Sequence, residues 1–208
     1  MLDDLKQVIF EHRHRRNFFR LVTRSFREDS DEFKLIVKAY FVARDEFFIV
    51  RRKDGTRYFY HKVAVAVIIM AYLGIKDANL IVAALLHDLI EDRKGWTKRR
   101  IERMFNADVA VLVEAVTKPD RKLYGSDHKF ETATFAKVRA AGYRAIVLKL
   151  ADRLHNMITL WGTPEKKLLK TEETIDHVLP LARKVDRLWK ELLLACTPHI
   201  SHNKEGDS

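Results

Sequence analysis

One cysteine, four prolines and seven glycines are spread through 208 residues, and each scarcity removes a class of protein. The lone thiol, Cys196, cannot close an internal disulfide, and a thiolate metal cluster would need several such residues. A metal in this chain would therefore be held by nitrogen and oxygen. Few glycines and prolines mean few turns, which argues against a sandwich or barrel of many short strands. No run reaches the ~18 apolar residues of a membrane helix, and the opening Met1-Leu2-Asp3-Asp4-Leu5-Lys6 carries acids instead of the apolar core of a signal peptide. These absences point to a cytoplasmic protein with no membrane partner.

What is present favours helices: Leu, Ala, Lys, Arg and Glu are abundant, and the fold class expected is all-α. The length suits one domain with a real core and leaves little room for two full-sized ones. Lys and Arg outnumber Asp and Glu by 39 to 29, a formal net charge of +10. Such a surface attracts polyanions such as phosphorylated small molecules, RNA or acidic lipid, and serves equally well as a solvated basic face.

Residues 1–50 place Leu5, Val8, Ile9, Phe18, Phe19 and Leu21 at helical spacing, interrupted by the basic cluster Arg13-His14-Arg15-Arg16. Two or three helices are expected there, as an extension packed on the main domain, with a homodimer through them left open. No stacking module accompanies the basic cluster, so nucleic acid is not favoured as a partner. The main domain is expected over 51–196 and a disordered tail over 197–208.

Within that domain the polar turn from Arg51 to Arg57 precedes a helix expected over 60–73, with Gly74 as its cap. Cationic loops and helix entrances both suit phosphate. Asp77 or Asn79 caps the next helix, apolar almost all round from Leu80 to Ile90 and hence buried. Its end nevertheless carries His87, Asp88, Glu91 and Asp92, and unpaired buried charge is too costly to persist without a cation or an open cleft. Shorter helices are expected over 96–105 and 109–116, a polar loop over 118–129, and helices over 131–141 and 144–160. In the last of these, Lys149, Asp152, Asn156 and Thr159 make a polar stripe on one face. His61, His87, Asp88 and Asp152 together supply two imidazoles and two carboxylates, a set suited to Mn, Fe or another octahedral divalent ion with positions left open for water and substrate.

The segments Ala84-Leu85-Leu86-His87-Asp88-Leu89-Ile90-Glu91-Asp92 and Leu148-Lys149-Leu150-Ala151-Asp152-Arg153-Leu154-His155-Asn156-Met157 resemble the two signatures of RelA/SpoT-type alarmone hydrolases, within the HD superfamily. Arg52-Lys53-Asp54-Gly55 through Tyr58 and His61, then Val116-Thr117-Lys118, Glu173-Thr174 and Pro180-Leu181-Ala182, follow in the family's order. The resemblance implies a helical HD bundle in which His61, His87, Asp88 and Asp152 bind one divalent ion, typically Mn²⁺. It implies that Glu91 and Asp92 are the catalytic acid pair and that Arg52, Lys53, Asn156 and Thr159 line a nucleotide pocket. The implied reaction is hydrolysis of the 3′-pyrophosphate of guanosine tetra- or pentaphosphate, releasing pyrophosphate and GDP or GTP. In length the chain resembles the small, hydrolase-only members.

The chain departs from the family's pattern in three places. Lys62 stands where proline usually follows the first histidine, Arg57 stands where proline is usual in the preceding turn, and Arg93 stands where a small hydroxyl residue is common. None removes an implied ligand or catalytic group. Two alternatives stay open at this point: an HD phosphohydrolase acting on another nucleotide, such as NADPH, a nucleoside monophosphate or a cyclic dinucleotide, and a module that binds alarmone or RNA without turnover.

Overall fold

A computed structural model describes residues 2–200, and they are helical as expected. Among these residues the β pairing is confined to an isolated antiparallel bridge between Arg51 and Arg57. The chain forms two compact units, Asp3–Lys118 and Pro119 onward.

The first unit opens with α1 (Leu2–His12), α2 (Arg15–Thr23) and α3 (Asp31–Glu46), the number expected from the apolar spacing. The unit continues with α4 (Tyr58–Val67), α5 (Ala78–Leu86), α6 (Leu89–Asp92), α7 (Lys98–Met104) and α8 (Ala107–Val116). Its centre is α5, where every residue from Leu80 to Leu86 is buried and which packs against α3, α4 and α8. A helix so surrounded has no polar face to turn to water, which is why its composition is uniformly apolar. Asp77 starts it, its Oδ1 accepting the Leu80 N–H at 2.9 Å. Helix α4 is buried on nearly all sides and passes into a π-helical turn, Ile68–Tyr72, before Gly74 (φ +71°) reverses the chain.

Where the helices differ from expectation, the causes are local. The helix through Leu86 does not run on to Ile90; it breaks at His87-Asp88 and restarts as α6. The His87 side chain supplies the reason, because its Nδ1 lies 2.8 Å from the Ala84 carbonyl, the acceptor that an uninterrupted helix would offer to the Asp88 N–H.

The second unit contains a 3₁₀ turn (Arg121–Leu123), α9 (Asp127–Ala140), α10 (Tyr143–Ile158), α11 (Pro164–Glu173), a π-helical turn (Thr174–Val178), α12 (Leu179–Ala182) and α13 (Asp186–Ile200). Helix α9 begins four residues ahead of the expected 131, because Ser126 caps it, its hydroxyl oxygen accepting the Lys129 N–H at 3.3 Å. Helix α10 is buried from Ala145 to His155 and packs against α9 and α13. The tail expected to be disordered from residue 197 is helical through Ile200, with the Thr197 hydroxyl donating to the Leu193 carbonyl at 3.0 Å. The remainder of that tail, 201–208, lies outside the described residues.

Candidate metal centre

The turn ahead of α4 is locally built. The Arg52 N–H donates to the Thr56 carbonyl at 2.8 Å and the Gly55 N–H to the Arg52 carbonyl at 2.9 Å, with Gly55 at φ +83°, a conformation that favours glycine. Asp54 Oδ1 accepts both the Thr56 N–H (2.9 Å) and its hydroxyl (2.7 Å). Burial pushes the Asp54 carboxyl up, and the bonds from Thr56 outweigh it, leaving the group below its ordinary value. The Tyr58 N–H then donates to the Val50 carbonyl at 3.0 Å, which sets the entry of α4.

That helix carries Tyr58, His61 and Lys62 toward the break between α5 and α6. The rings of His61 and His87 meet edge to face, with centroids 5.2 Å apart, and both are buried. One donor atom each from His61, His87 and Asp88 lies within 4.8 Å of the others. Because a carbonyl can only accept, the bond from His87 Nδ1 to Ala84 puts a proton on Nδ1, so Nε2 is the nitrogen that a metal would use. Nε2 is 3.3 Å from Asp88 Oδ1. The other carboxylate oxygen, Oδ2, accepts the Tyr58 hydroxyl at 2.7 Å and forms an ion pair with Lys62 Nζ. Two imidazoles and a carboxylate fit a divalent ion of intermediate or hard character, and the nitrogen and oxygen set agrees with the exclusion of a thiolate centre.

The residues beyond this trio are distributed as follows. Glu91 and Asp92 are exposed on α6, one turn past His87 and Asp88, and Glu91 Oε1 accepts the Lys118 N–H at 2.7 Å. Arg52 is half-buried and Lys53 exposed on the turn. Arg93 reaches Glu46, with Nε 3.4 Å from Oε2, and lies over the Phe47 ring. Asp152, Asn156 and Thr159 belong to α10 in the second unit. There Asp152 is buried, accepts the Asn156 amide at 2.7 Å on Oδ1 and meets Lys149 Nζ at 3.3 Å on Oδ2. Thr159 ends α10, its hydroxyl donating to the His155 carbonyl at 2.6 Å.

Three residues carry weight here that patterning alone did not assign. Tyr58 and Lys62 both engage Asp88, and the available signal was a lysine directly ahead of the wholly apolar run from Val63 to Met70. Arg153 pairs with Glu173, and Lys170 reaches the same carboxylate at 2.7 Å. Burial pushes Glu173 up, but these two cations dominate and hold it down to about 2.

An all-helical fold with a histidine and aspartate cluster at a helix junction defines a class, and comparison with known proteins agrees with it. The chain belongs to the HD-domain family, whose model matches residues 39–187. Proteins of this family depend on a bound metal, and His61, His87 and Asp88 form a possible site for it. The chain is 38% identical over 159 residues to the bifunctional (p)ppGpp synthase/hydrolase SpoT of Escherichia coli, covering 74% of this chain and 22% of that protein. It is 39% identical over 153 residues to a probable GTP pyrophosphokinase of Mycobacterium leprae, covering 73% and 19%. Against a probable guanosine-3′,5′-bis(diphosphate) 3′-pyrophosphohydrolase of Synechocystis the identity is 38% over 160 residues, covering 75% and 20%. The chain thus spans about a fifth of the length of these curated relatives. A solved structure described as a metazoan ortholog of SpoT that hydrolyzes ppGpp superposes with a TM-score of 0.65 at 23% identity, covering 80% of this chain and 94% of that one. At that identity the likeness speaks for the fold.

Proposed function

We propose that this chain is a metal-dependent guanosine-3′,5′-bis(diphosphate) 3′-pyrophosphohydrolase, degrading guanosine tetra- or pentaphosphate to GDP or GTP and pyrophosphate. The observation that carries the reading is the convergence of His61, His87 and Asp88 donor atoms within 4.8 Å, in a chain about 38% identical to proteins named for this activity. In the proposal His61, His87, Asp88 and Asp152 hold one ion, most simply Mn²⁺, and the division into a 51–196 catalytic domain and an N-terminal extension is retained. A cytoplasmic location belongs to the same proposal.

Those donors would hold the ion, which when bound would supply Lewis acidity that lowers the pKa of a water from ~15.7 toward neutrality. Glu91, one turn from His87, would orient a water and take its proton, with Asp92 beside it as the second acid. Hydrolysis would form one bond from a water oxygen to the phosphorus on the ribose 3′ oxygen and break the bond from that phosphorus to the 3′ oxygen, which would leave with the proton as the free 3′ hydroxyl. Arg52 and Lys53 at the turn offset phosphate charge, and Asn156 and Thr159 orient the nucleotide, because phosphoryl chemistry rests largely on positioning and electrostatics.

Incubating the purified protein with guanosine tetraphosphate, with and without Mn²⁺, and separating products by ion exchange tests this. Metal-dependent release of GDP and pyrophosphate is expected, reduced at least about 100-fold in Asp88→Ala and Glu91→Ala. Orthophosphate as the product, or turnover of another nucleotide alone, would move the assignment elsewhere in the HD family. The substitutions at Arg57, Lys62 and Arg93 around the site are where such a shift in substrate would originate.

A further inference from the structure

Lys62 follows His61 on α4 and is fully buried, with 0% of its surface exposed. Lysine takes such a position almost only when its charge is paired. Its Nζ pairs with Asp88 Oδ2, the oxygen that also accepts the Tyr58 hydroxyl. The ammonium sits 4.1 Å from the Tyr58 ring centroid and 5.0 Å from that of Phe47, so two aromatic faces lie beside it. One oxygen of the cluster's carboxylate thus already faces a cation, and the other, Oδ1, lies 3.3 Å from His87 Nε2.

We propose that Lys62 is a built-in counter-cation of the metal centre, a positioning residue with two effects. Before metal arrives it balances Asp88, which would otherwise be a poorly compensated carboxylate beside two buried imidazoles, and so keeps the donors assembled. Once a divalent ion binds, the ammonium and the ion share one carboxylate. Their mutual repulsion at a few ångströms in a protein interior lowers affinity by well over an order of magnitude. Oδ2 is committed to Lys62 and Tyr58, so Asp88 offers the ion Oδ1 alone. The site is therefore preorganised but exchangeable. The proposal rests on the metal-centre reading above.

The test uses the whole chain, stripped of metal with a chelator, as wild type, Lys62→Gln, Lys62→Met and Tyr58→Phe. Mn²⁺ affinity is measured by calorimetry, and thermal unfolding is followed with and without Mn²⁺. Lys62→Gln should bind Mn²⁺ at least about tenfold tighter than wild type. Its stripped form should melt lower, and its Mn²⁺-induced rise in Tm should be larger. A purely structural lysine would give the lower melting point without the tighter binding. Tyr58→Phe removes a neutral bond to the same oxygen and should not tighten binding. If it tightens binding as much as Lys62→Gln does, charge is not the cause and the proposal fails. Lys62→Met repeats the charge removal without a polar contact, and a variant that folds only when Mn²⁺ is present is the extreme of the expected result. Mn²⁺ binding by Lys62→Gln that is equal to or weaker than wild type overturns the role of Lys62 and leaves the metal centre standing. Absence of Mn²⁺ binding in both proteins overturns the centre itself, and Lys62 with it.

Discussion

Asp88 is a meeting point of the first unit, since Tyr58, Lys62 and His87 all converge on it. Replacing it by asparagine leaves the buried ammonium of Lys62 without its counter-charge. Removing one partner of a buried pair typically costs roughly 3–5 kcal/mol. Urea unfolding of the metal-free Asp88→Asn variant should show a loss of that order, and a loss below about 1 kcal/mol would mean the pair contributes little. A half-buried carboxylate in the second unit gives a prediction in pH. Glu173 is held at about 2 by Arg153 and Lys170, against an ordinary value of 4.5. A carboxyl depressed in the folded state adds stability that is fully present above the unfolded value and is lost as pH falls toward the folded one. Stability should therefore drop between about pH 4.5 and 2. Glu173→Gln should make that part of the acid limb shallower, and an unchanged slope would count against the Arg153–Glu173 pair as a source of acid sensitivity.

The elements carry the site because their ends are defined by single side chains. Asp77 starts α5, the helix whose far end presents His87 and Asp88. Asp77→Ala should lower stability by about 1 kcal/mol, the usual contribution of such a cap, while leaving Mn²⁺ affinity at saturation unchanged. Weakened metal binding in that variant would show that the cap also sets the position of the donors. The caps are partly legible in the sequence: Asp77 is one of the two residues, with Asn79, that the pattern offers for the start of α5, whereas α9 begins at its Ser126 cap, four residues ahead of the helix expected from 131. The break at His87-Asp88 was not readable at all. The apolar positions of Leu80 to Leu86 resume in Leu89 and Ile90 with no glycine or proline between them, and the interruption arises from where one imidazole finds its acceptor.

For the molecule as a whole, metal binding should appear as stability. A ligand that binds only the folded state adds about 2.7 kcal/mol at a concentration one hundred times its Kd. In a chain of this size that corresponds to a rise in Tm of roughly 5–11 °C. Mn²⁺ should raise the melting temperature to that extent and a chelator should reverse it, while an unchanged Tm at saturating Mn²⁺ would contradict a folded-state metal centre. Much of this molecule was determined by the sequence itself. Scarce turn residues and apolar spacing dictate the helices, and the single cysteine dictates nitrogen and oxygen donors. Carboxylates and a histidine at the end of an apolar helix mark where chemistry resides, because burial tolerates charge only where something compensates it. Tertiary structure alone decided which groups provide that compensation. No spacing rule connects Lys62 and Tyr58 to Asp88, Arg93 to Glu46, or Arg153 to Glu173, since each partner comes from a different element. A buried ion pair is settled by which helix faces meet, and that is a property of packing, invisible to the periodicity of any one helix.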